Sequence, residues 1–378
     1  MYNFNCFLVG KKEILALENP FGCGKSPLFT YPFFGEEQLI SLIIPPGTSE
    51  TVLESLEIVL CIDVSLTATA GAGGACECFL GVSEESILKE ARGTIEEKLK
   101  EMADACDFSI KFHHSWTEYQ ASLVGYNQDI VTSVINEGVV ELKNSKERGS
   151  FYNRIQLLLP FFIEAATPID SRDSKWSIYL SISTEEGSCV NGLLTAYSYF
   201  KFPEGLRVRI SQVLVFPRYQ GNRLGTKLYR SVTRRLRSAE SDCVEICVED
   251  PTDGFERLRG LVDWQEAESA GIWQNEGDEF NDLIKKMKLN EEHAVRLINL
   301  NKCLHSASIP SNPKRFKPVV SPCTDPSTKL RQDVKRWLLK KYRKDLPDGK
   351  EERIGKLAEL YESELIEFIE PLIELLKK

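Results

Sequence analysis

The chain has 378 residues, enough for two or three domains, with 42% apolar residues and a formal net charge of −9. That acidic balance argues against wholesale nucleic-acid binding and suits a basic protein partner. No 18-residue apolar run occurs, and the start MYNFNCFLVGKKEILALENP lacks a basic head before an unbroken apolar core, so neither a membrane span nor a signal peptide is expected. Residues 1 to 108 carry short β-rich runs, of which Glu57–Leu66 is the clearest. An Ala/Gly-rich stretch, Thr67–Ala75, reads as a hairpin or flexible loop. A helix is expected over Glu84–Ala105. From 109 to 260 strands are predicted at Val139–Leu142, Trp176–Ser183, Leu193–Phe202, Val208–Phe216 and Val244–Val248. Helices are predicted at Asn153–Ala166, Thr226–Arg237 and Phe255–Val262. From 261 to 378 the chain reads as helical, interrupted by the Pro-rich linker Ile309–Pro326. The fold class is α+β: a mixed central sheet flanked by helices, with a smaller β-rich N-terminal domain and a C-terminal helical region.

Eleven cysteines, odd in number and unevenly spaced, fit reduced thiols in the cytosol or nucleus. Cys76 and Cys78 lie far in sequence from His113 and His114, so no metal site is expected. Charge is uneven. Gln265–Asp282 holds Glu266, Glu268, Glu276, Asp278, Glu279 and Asp282 without a Lys or Arg, and reads as an acidic loop able to attract a basic peptide. Lys329–Lys344 carries eight basic residues against Asp333. A solvated loop and a solvated helix face are the plain alternatives.

The most informative stretch is RVRISQVLVFPRYQGNRLG, Arg207 to Gly225, followed by Glu249-Asp250-Pro251. A β-branched strand broken by Pro217, then Gln220 to Gly225 opening a helix, makes an anion site. Unpaired backbone N–H groups and the positive end of the helix dipole face one point. No Gly-Lys-Ser/Thr follows, so the loop is not a phosphate-binding P-loop. Glu249 ends a strand, where open sheets present their ligand crevice. As a plain alternative, Asp250 caps the helix that follows. Cys247, on the same strand, could act as a nucleophile or simply fill a core.

The loop resembles the acetyl-CoA-binding motif of the GCN5-related N-acetyltransferases, with Arg223 where the motif has its first glycine. The flanking Phe202 to Gln212 and Glu249-Asp250-Pro251 resemble the type B histone acetyltransferases, as do Phe162 to Ala166, Ile169-Asp170, Trp176, Lys286 to Asn290 and Val334 to Arg336. The resemblance runs from about residue 150 to the end. It implies acetyl-CoA as co-substrate and no metal. Backbone groups of Val213, Leu214 and Val215 would meet the pantetheine amides. Those of Gln220, Gly221, Asn222, Arg223, Leu224, Gly225 and Thr226 would take the pyrophosphate. Gly254 stands where the family has a hydroxyl residue. The resemblance also implies Glu249 as general base, with Asp250 and Glu164 as carboxylates that tune it.

A base is needed because deprotonating a lysine at pH 7 costs about 4.6 kcal/mol. For the substrate the resemblance implies the acidic pair Glu36 and Glu37, with Gln38 replacing the next acid, and an N-terminal domain contributing to a histone-tail groove. Trp176, Tyr197 and Tyr199 are candidate faces for aliphatic stems. Expected partners are the tail of newly made histone H4 (with histone H3) and a WD-repeat histone-binding subunit, with no direct nucleic acid and no membrane, in cytoplasm and nucleus. Two alternatives remain: an acetyltransferase of a small amine or another protein, and a non-catalytic histone-binding module.

Overall fold

The computed structural model describes residues 3–9, 57–63, 67–68, 76–82, 109–124, 128–129, 132–136, 138–142, 166–183, 189–203, 205–238, 241–274, 277–305 and 326–377, with scattered positions in 93–104 and 152–163. The chain forms two compact units. One comprises Met1–Ser198 and Ile210–Val232, the other Tyr199–Arg209 and Thr233–Lys378. This division cuts through two strands and a helix, whereas the sequence reading set its boundaries at 108 and 260.

In the first unit, β1 (Asn3–Val9), β2 (Glu57–Asp63), β4 (Cys76–Val82) and β5 (Ile110–His113) form a sheet in the order β1-β2-β4-β5. The expected strand Glu57–Leu66 is thus β2, ending at Asp63. β1 runs parallel to β2, and β4 parallel to β5. Helix α1 (Trp116–Val124) packs on β4 and β5 through Tyr119, which is fully buried. β3 (Thr67–Ala68) pairs with β6 (Gln128–Asp129), so the Ala/Gly stretch opens as a strand. Of the expected helix Glu84–Ala105, the described positions between 93 and 104 are helical.

The larger sheet in this unit has the order β11-β10-β9-β8-β7. Its strands are β7 (Thr132–Asn136), β8 (Val139–Leu142), β9 (Trp176–Ser183), β10 (Cys189–Phe200) and β11 (Leu206–Val215). β10 therefore starts before the predicted Leu193. Alternation sets the core: Val208, Ile210, Gln212 and Leu214 of β11 are buried, while the residues between them are half-exposed or exposed. Gln212 is tolerated there because it is saturated. Its Oε1 accepts from Tyr152 Oη (2.5 Å) and Thr195 Oγ1 (3.3 Å), and its Nε2 donates to the Thr167 carbonyl (3.0 Å). Within the expected helix Asn153–Ala166, positions 152, 155 and 156 are helical, followed by a 3-10 position at 159 and a turn at 162–163.

The second unit holds the β10–β11 turn, closed by Lys201 N–H donating to the Gly205 carbonyl (3.0 Å). β12 (Cys243–Val248) lies beside β11, and a parallel bridge joins its Ile246 to Leu289. The rest is helical: α3 (Asp253–Ser269), α4 (Glu279–Lys285), α5 (Glu291–Leu304), α6 (Pro326–Lys341), α7 (Lys350–Ser363), a π-helical turn (Glu364–Ile369) and α8 (Glu370–Leu376). α3 is twice the predicted length of Phe255–Val262. The linker Ile309–Pro326 lies outside the described residues up to Pro326, where α6 begins. No described helix is long and apolar enough to cross a membrane.

These helices share a core that includes Leu283, Leu297, Leu300, Val334, Leu338, Phe368 and Leu372. Polar clusters tie it together. Asp263, fully buried, accepts from Arg237 (2.5 Å) and bonds His293 Nε2 (3.0 Å). Burial would raise its carboxyl, but Arg237, His293 and Arg259 outweigh burial and hold it well below the usual range. Arg296 grips Glu364 with two bonds (2.7 and 2.9 Å) and Glu256 with a third (2.6 Å), its guanidinium 3.5 Å from the Phe368 ring centroid. α3 meets the C-terminal helices at Gly260, where a Cβ would lie 2.7 Å from Phe368 and 2.8 Å from Leu372. Gly260→Ala is therefore expected to destabilise the protein by about 1–3 kcal/mol through overpacking, read as a lower Tm. An unchanged Tm would show that Phe368 and Leu372 yield without penalty.

The acidic stretch Gln265–Asp282 is not a loop. It comprises the last residues of α3, a 3-10 turn (Ile272–Gln274) and the first half of α4. Glu266 is clamped by Arg234 through two 2.8 Å bonds, and buried Asp282 bonds Lys286 (2.9 Å). Those two charges serve the fold. The basic stretch likewise packs inward through Val334, Trp337 and Leu338, and Lys341 pairs with Glu292 (2.9 Å).

Candidate active site

In the first unit, β11 ends at Val215 and fully buried Phe216 anchors the exit. Pro217, which lacks an N–H, opens a 3-10 turn, Pro217–Tyr219. Gln220 folds back, its Nε2 donating to the Val215 carbonyl (2.8 Å), so this side chain braces the loop. Gln220, Gly221, Asn222 and Arg223 are exposed. Two of them hold left-handed backbone, Gly221 at φ 78° and Arg223 at φ 59°. Arg223 thus keeps the backbone form that glycine favours, at a position where a side chain adds strain of about 1–2 kcal/mol.

Helix α2 (Leu224–Arg237) begins two residues before the predicted Thr226. Leu224, Gly225 and Thr226 therefore form its first turn. Their N–H groups have no acceptor inside a helix and point out of its N-terminus. Behind the loop, a Cβ on Gly192 would come within 2.9 Å of the Leu214 carbonyl, and Phe216 N–H donates to the Asn191 carbonyl (3.0 Å). β10 thus closes one edge of Val213–Val215. Asn191 keeps a buried Oδ1 with no hydrogen bond among the described residues. A left-handed loop leading into an exposed helix N-terminus fits an extended phosphate-bearing molecule such as acetyl-CoA. Trp176 and Tyr197 are also brought together here, paired across β9 and β10 with ring centroids 4.9 Å apart.

In the second unit, Glu249 follows the end of β12. Asp250 is exposed and left-handed, at φ 35°. It does not cap the next helix: Thr252 does, its Oγ1 accepting from Phe255 N–H (3.3 Å). Glu249 pairs with Arg209, Nη1 to Oε1 3.1 Å, and the Arg209 guanidinium lies 5.1 Å from the Tyr199 ring centroid. One step along the same face, Glu245 receives both Lys201 and Arg207. The cationic partners Lys201, Arg207 and Arg209 line a depression of about 650 Å³ together with Tyr199, Phe200, Phe202 and Cys247. Burial, and then Glu245, push the Cys247 thiol above its usual range, which makes it a poor acetyl acceptor. Gly254 sits exposed in the first turn of α3 with open space where a side chain would project.

Arg209 was not singled out from the sequence. The available signal was the alternation of Arg207, Val208 and Arg209, which puts two guanidiniums on the solvent face of a strand. Glu164, Glu36 and Glu37 lie outside the described residues. The predicted cofactor residues belong to the first unit and Glu249, Asp250 and Tyr199 to the second. Among the described residues, no group of three His, Cys, Asp or Glu side chains could hold a metal.

No family model matches the chain. Curated proteins named histone acetyltransferase type B catalytic subunit do. The one from Candida glabrata is 31% identical over 63% of this chain and 62% of its own length. The one from Eremothecium gossypii is 26% identical, over 73% and 72%, and the one from Rattus norvegicus 27%, over 52% and 47%. The chain thus matches less than two thirds of the Candida glabrata relative. Among solved structures, an aminoglycoside acetyltransferase from a soil metagenome aligns with 33% of this chain and 86% of its own, at 15% identity and a TM-score of 0.26.

Proposed function

We propose that the chain, which is similar to type B histone acetyltransferase catalytic subunits, acetylates lysine side chains of a histone tail, with acetyl-CoA as donor. The observation that carries this reading is Glu249, a partly exposed strand-end carboxylate paired with Arg209, which lines the neighbouring depression. Bound acetyl-CoA supplies the activated acyl group as a thiolester. The chain's part is to hold and to accept. The Gly221–Arg223 loop and the first turn of α2 offer N–H groups to phosphates, whereas the Gln220 N–H is spent on the Pro217 carbonyl (3.1 Å). Val213–Val215 offers strand-edge groups to amides. Glu249 takes the proton that the lysine amine gives up, directly or through a water. Asp250 stands next to it on a strained, exposed backbone and tunes the local charge.

The preferred tail, in this proposal, is that of newly made histone H4, presented with histone H3 and a WD-repeat histone-binding subunit, in cytoplasm and nucleus. Arg234 and Lys286 already engage Glu266 and Asp282, so the candidates for holding the basic tail are Glu36 and Glu37 with the remaining acids of Gln265–Asp282. Neutralising them (Glu36→Gln with Glu37→Gln) is expected to raise KM for an H4 tail peptide and flatten its salt dependence. KM for acetyl-CoA should hardly move, because exposed charges act over about 10 Å at 0.1 M salt. A small amine acetylated faster than the peptide, with no salt effect on either, would replace the histone reading by that of a small-amine acetyltransferase. A melting temperature unmoved by acetyl-CoA would remove both.

A further inference from the structure

Glu249 is already engaged in the protein without substrate: Arg209 Nη1 lies 3.1 Å from its Oε1. Both side chains are about one third exposed, 36% for Arg209 and 35% for Glu249, so the pair is reachable from solvent. Arg209 has a second seat. Its guanidinium rests 5.1 Å from the Tyr199 ring centroid, a cation–π contact that survives if the ion pair opens. Its buried Nε makes no hydrogen bond among the described residues, so nothing seen there locks the guanidinium onto Glu249. The neighbouring carboxylate cannot serve instead, because Glu245 is shared by Lys201 and Arg207. A cationic substrate therefore meets two carboxylates, Glu245 and Glu249, that each already carry an internal cation.

We propose that Arg209 is a positioning residue that occupies the seat of the substrate ammonium on Glu249 and is displaced by it. The idea rests on the reading of Glu249 as the carboxylate that receives the lysine. An incoming ammonium exchanges one exposed ion pair for another, so entry is nearly balanced, and Arg209 keeps its contact with Tyr199. Acetylation turns the amine into a neutral amide. The amide cannot hold Glu249 against a guanidinium, and Arg209 returns and expels the product. Selectivity for a cationic substrate and release of a neutral product then come from the same side chain.

The test uses the full chain with a single-lysine tail peptide at saturating acetyl-CoA. Arg209→Met keeps the stem and removes the charge. It is expected to lower peptide KM by about two- to fivefold, the range that an exposed ion pair spans. It should also tighten binding of the acetylated peptide, measured by fluorescence anisotropy, and leave KM for acetyl-CoA unchanged. Arg209→Lys should restore the wild-type values. In a Glu249→Gln background, Arg209→Met should no longer change peptide affinity, because the seat is gone. Unchanged or raised peptide KM in a folded Arg209→Met protein overturns the proposal, as does an equal effect with and without Glu249. If Arg209→Met fails to fold, the Arg209→Gln variant carries the same comparison. Wild-type turnover of the peptide reports separately on the function itself: its absence removes that reading and this proposal with it.

Discussion

Glu249→Gln is expected to lower kcat by about 10²–10⁴-fold, the usual loss on removing a general base, with acetyl-CoA affinity little changed. The substitution keeps the shape of the side chain and one oxygen that Arg209 can still reach, so the groove is expected to persist. What disappears is the capacity to take a proton from an amine that is charged at neutral pH. Rates measured across pH 6–9 check the assignment. A base that is lost outright should depress turnover over the whole range, whereas higher pH should partly rescue it by deprotonating the lysine in solution. Near wild-type turnover throughout would pass the role to Asp250, to Glu164 or to a water chain. Asp250 is a weaker candidate than Glu249, because its left-handed backbone holds it in exposed surroundings.

Gly225→Glu is expected to weaken acetyl-CoA binding by at least about tenfold while the melting temperature holds or rises. The two signs differ for one physical reason. Gly225 is the second residue of α2, where a carboxylate is favoured by the helix dipole and a glutamate gains about 0.5–1 kcal/mol of helix propensity over glycine. The same carboxylate placed among outward-pointing N–H groups repels a phosphate and fills the approach. Calorimetric titration with acetyl-CoA, run beside a thermal melt, separates the two effects. Unchanged affinity would take this helix terminus out of the cofactor site. A lowered melting temperature would show that the glycine served packing instead.

Much of this site is local and could be read along the chain. The run from Arg207 to Phe216 alternates buried and exposed positions because a strand has period two, and Pro217 stops it because it has no N–H to give. The helices after residue 280 follow from apolar spacing in the same way. Other features depend on residues far apart in sequence, and these the tertiary structure decided. Arg223 could be noted as a departure from glycine, but only the folded loop shows that it adopts the glycine-like backbone and starts α2 at Leu224. The acidic stretch after Gln265 could not reveal that Arg234 and Lys286 claim two of its charges. Arg209 and Glu249 are forty residues apart, and their pairing comes from β11 and β12 lying side by side. Backbone pattern is set by near neighbours, and so a sequence displays it. The partner of a charge is set by strand order and register, which only the assembled sheet supplies.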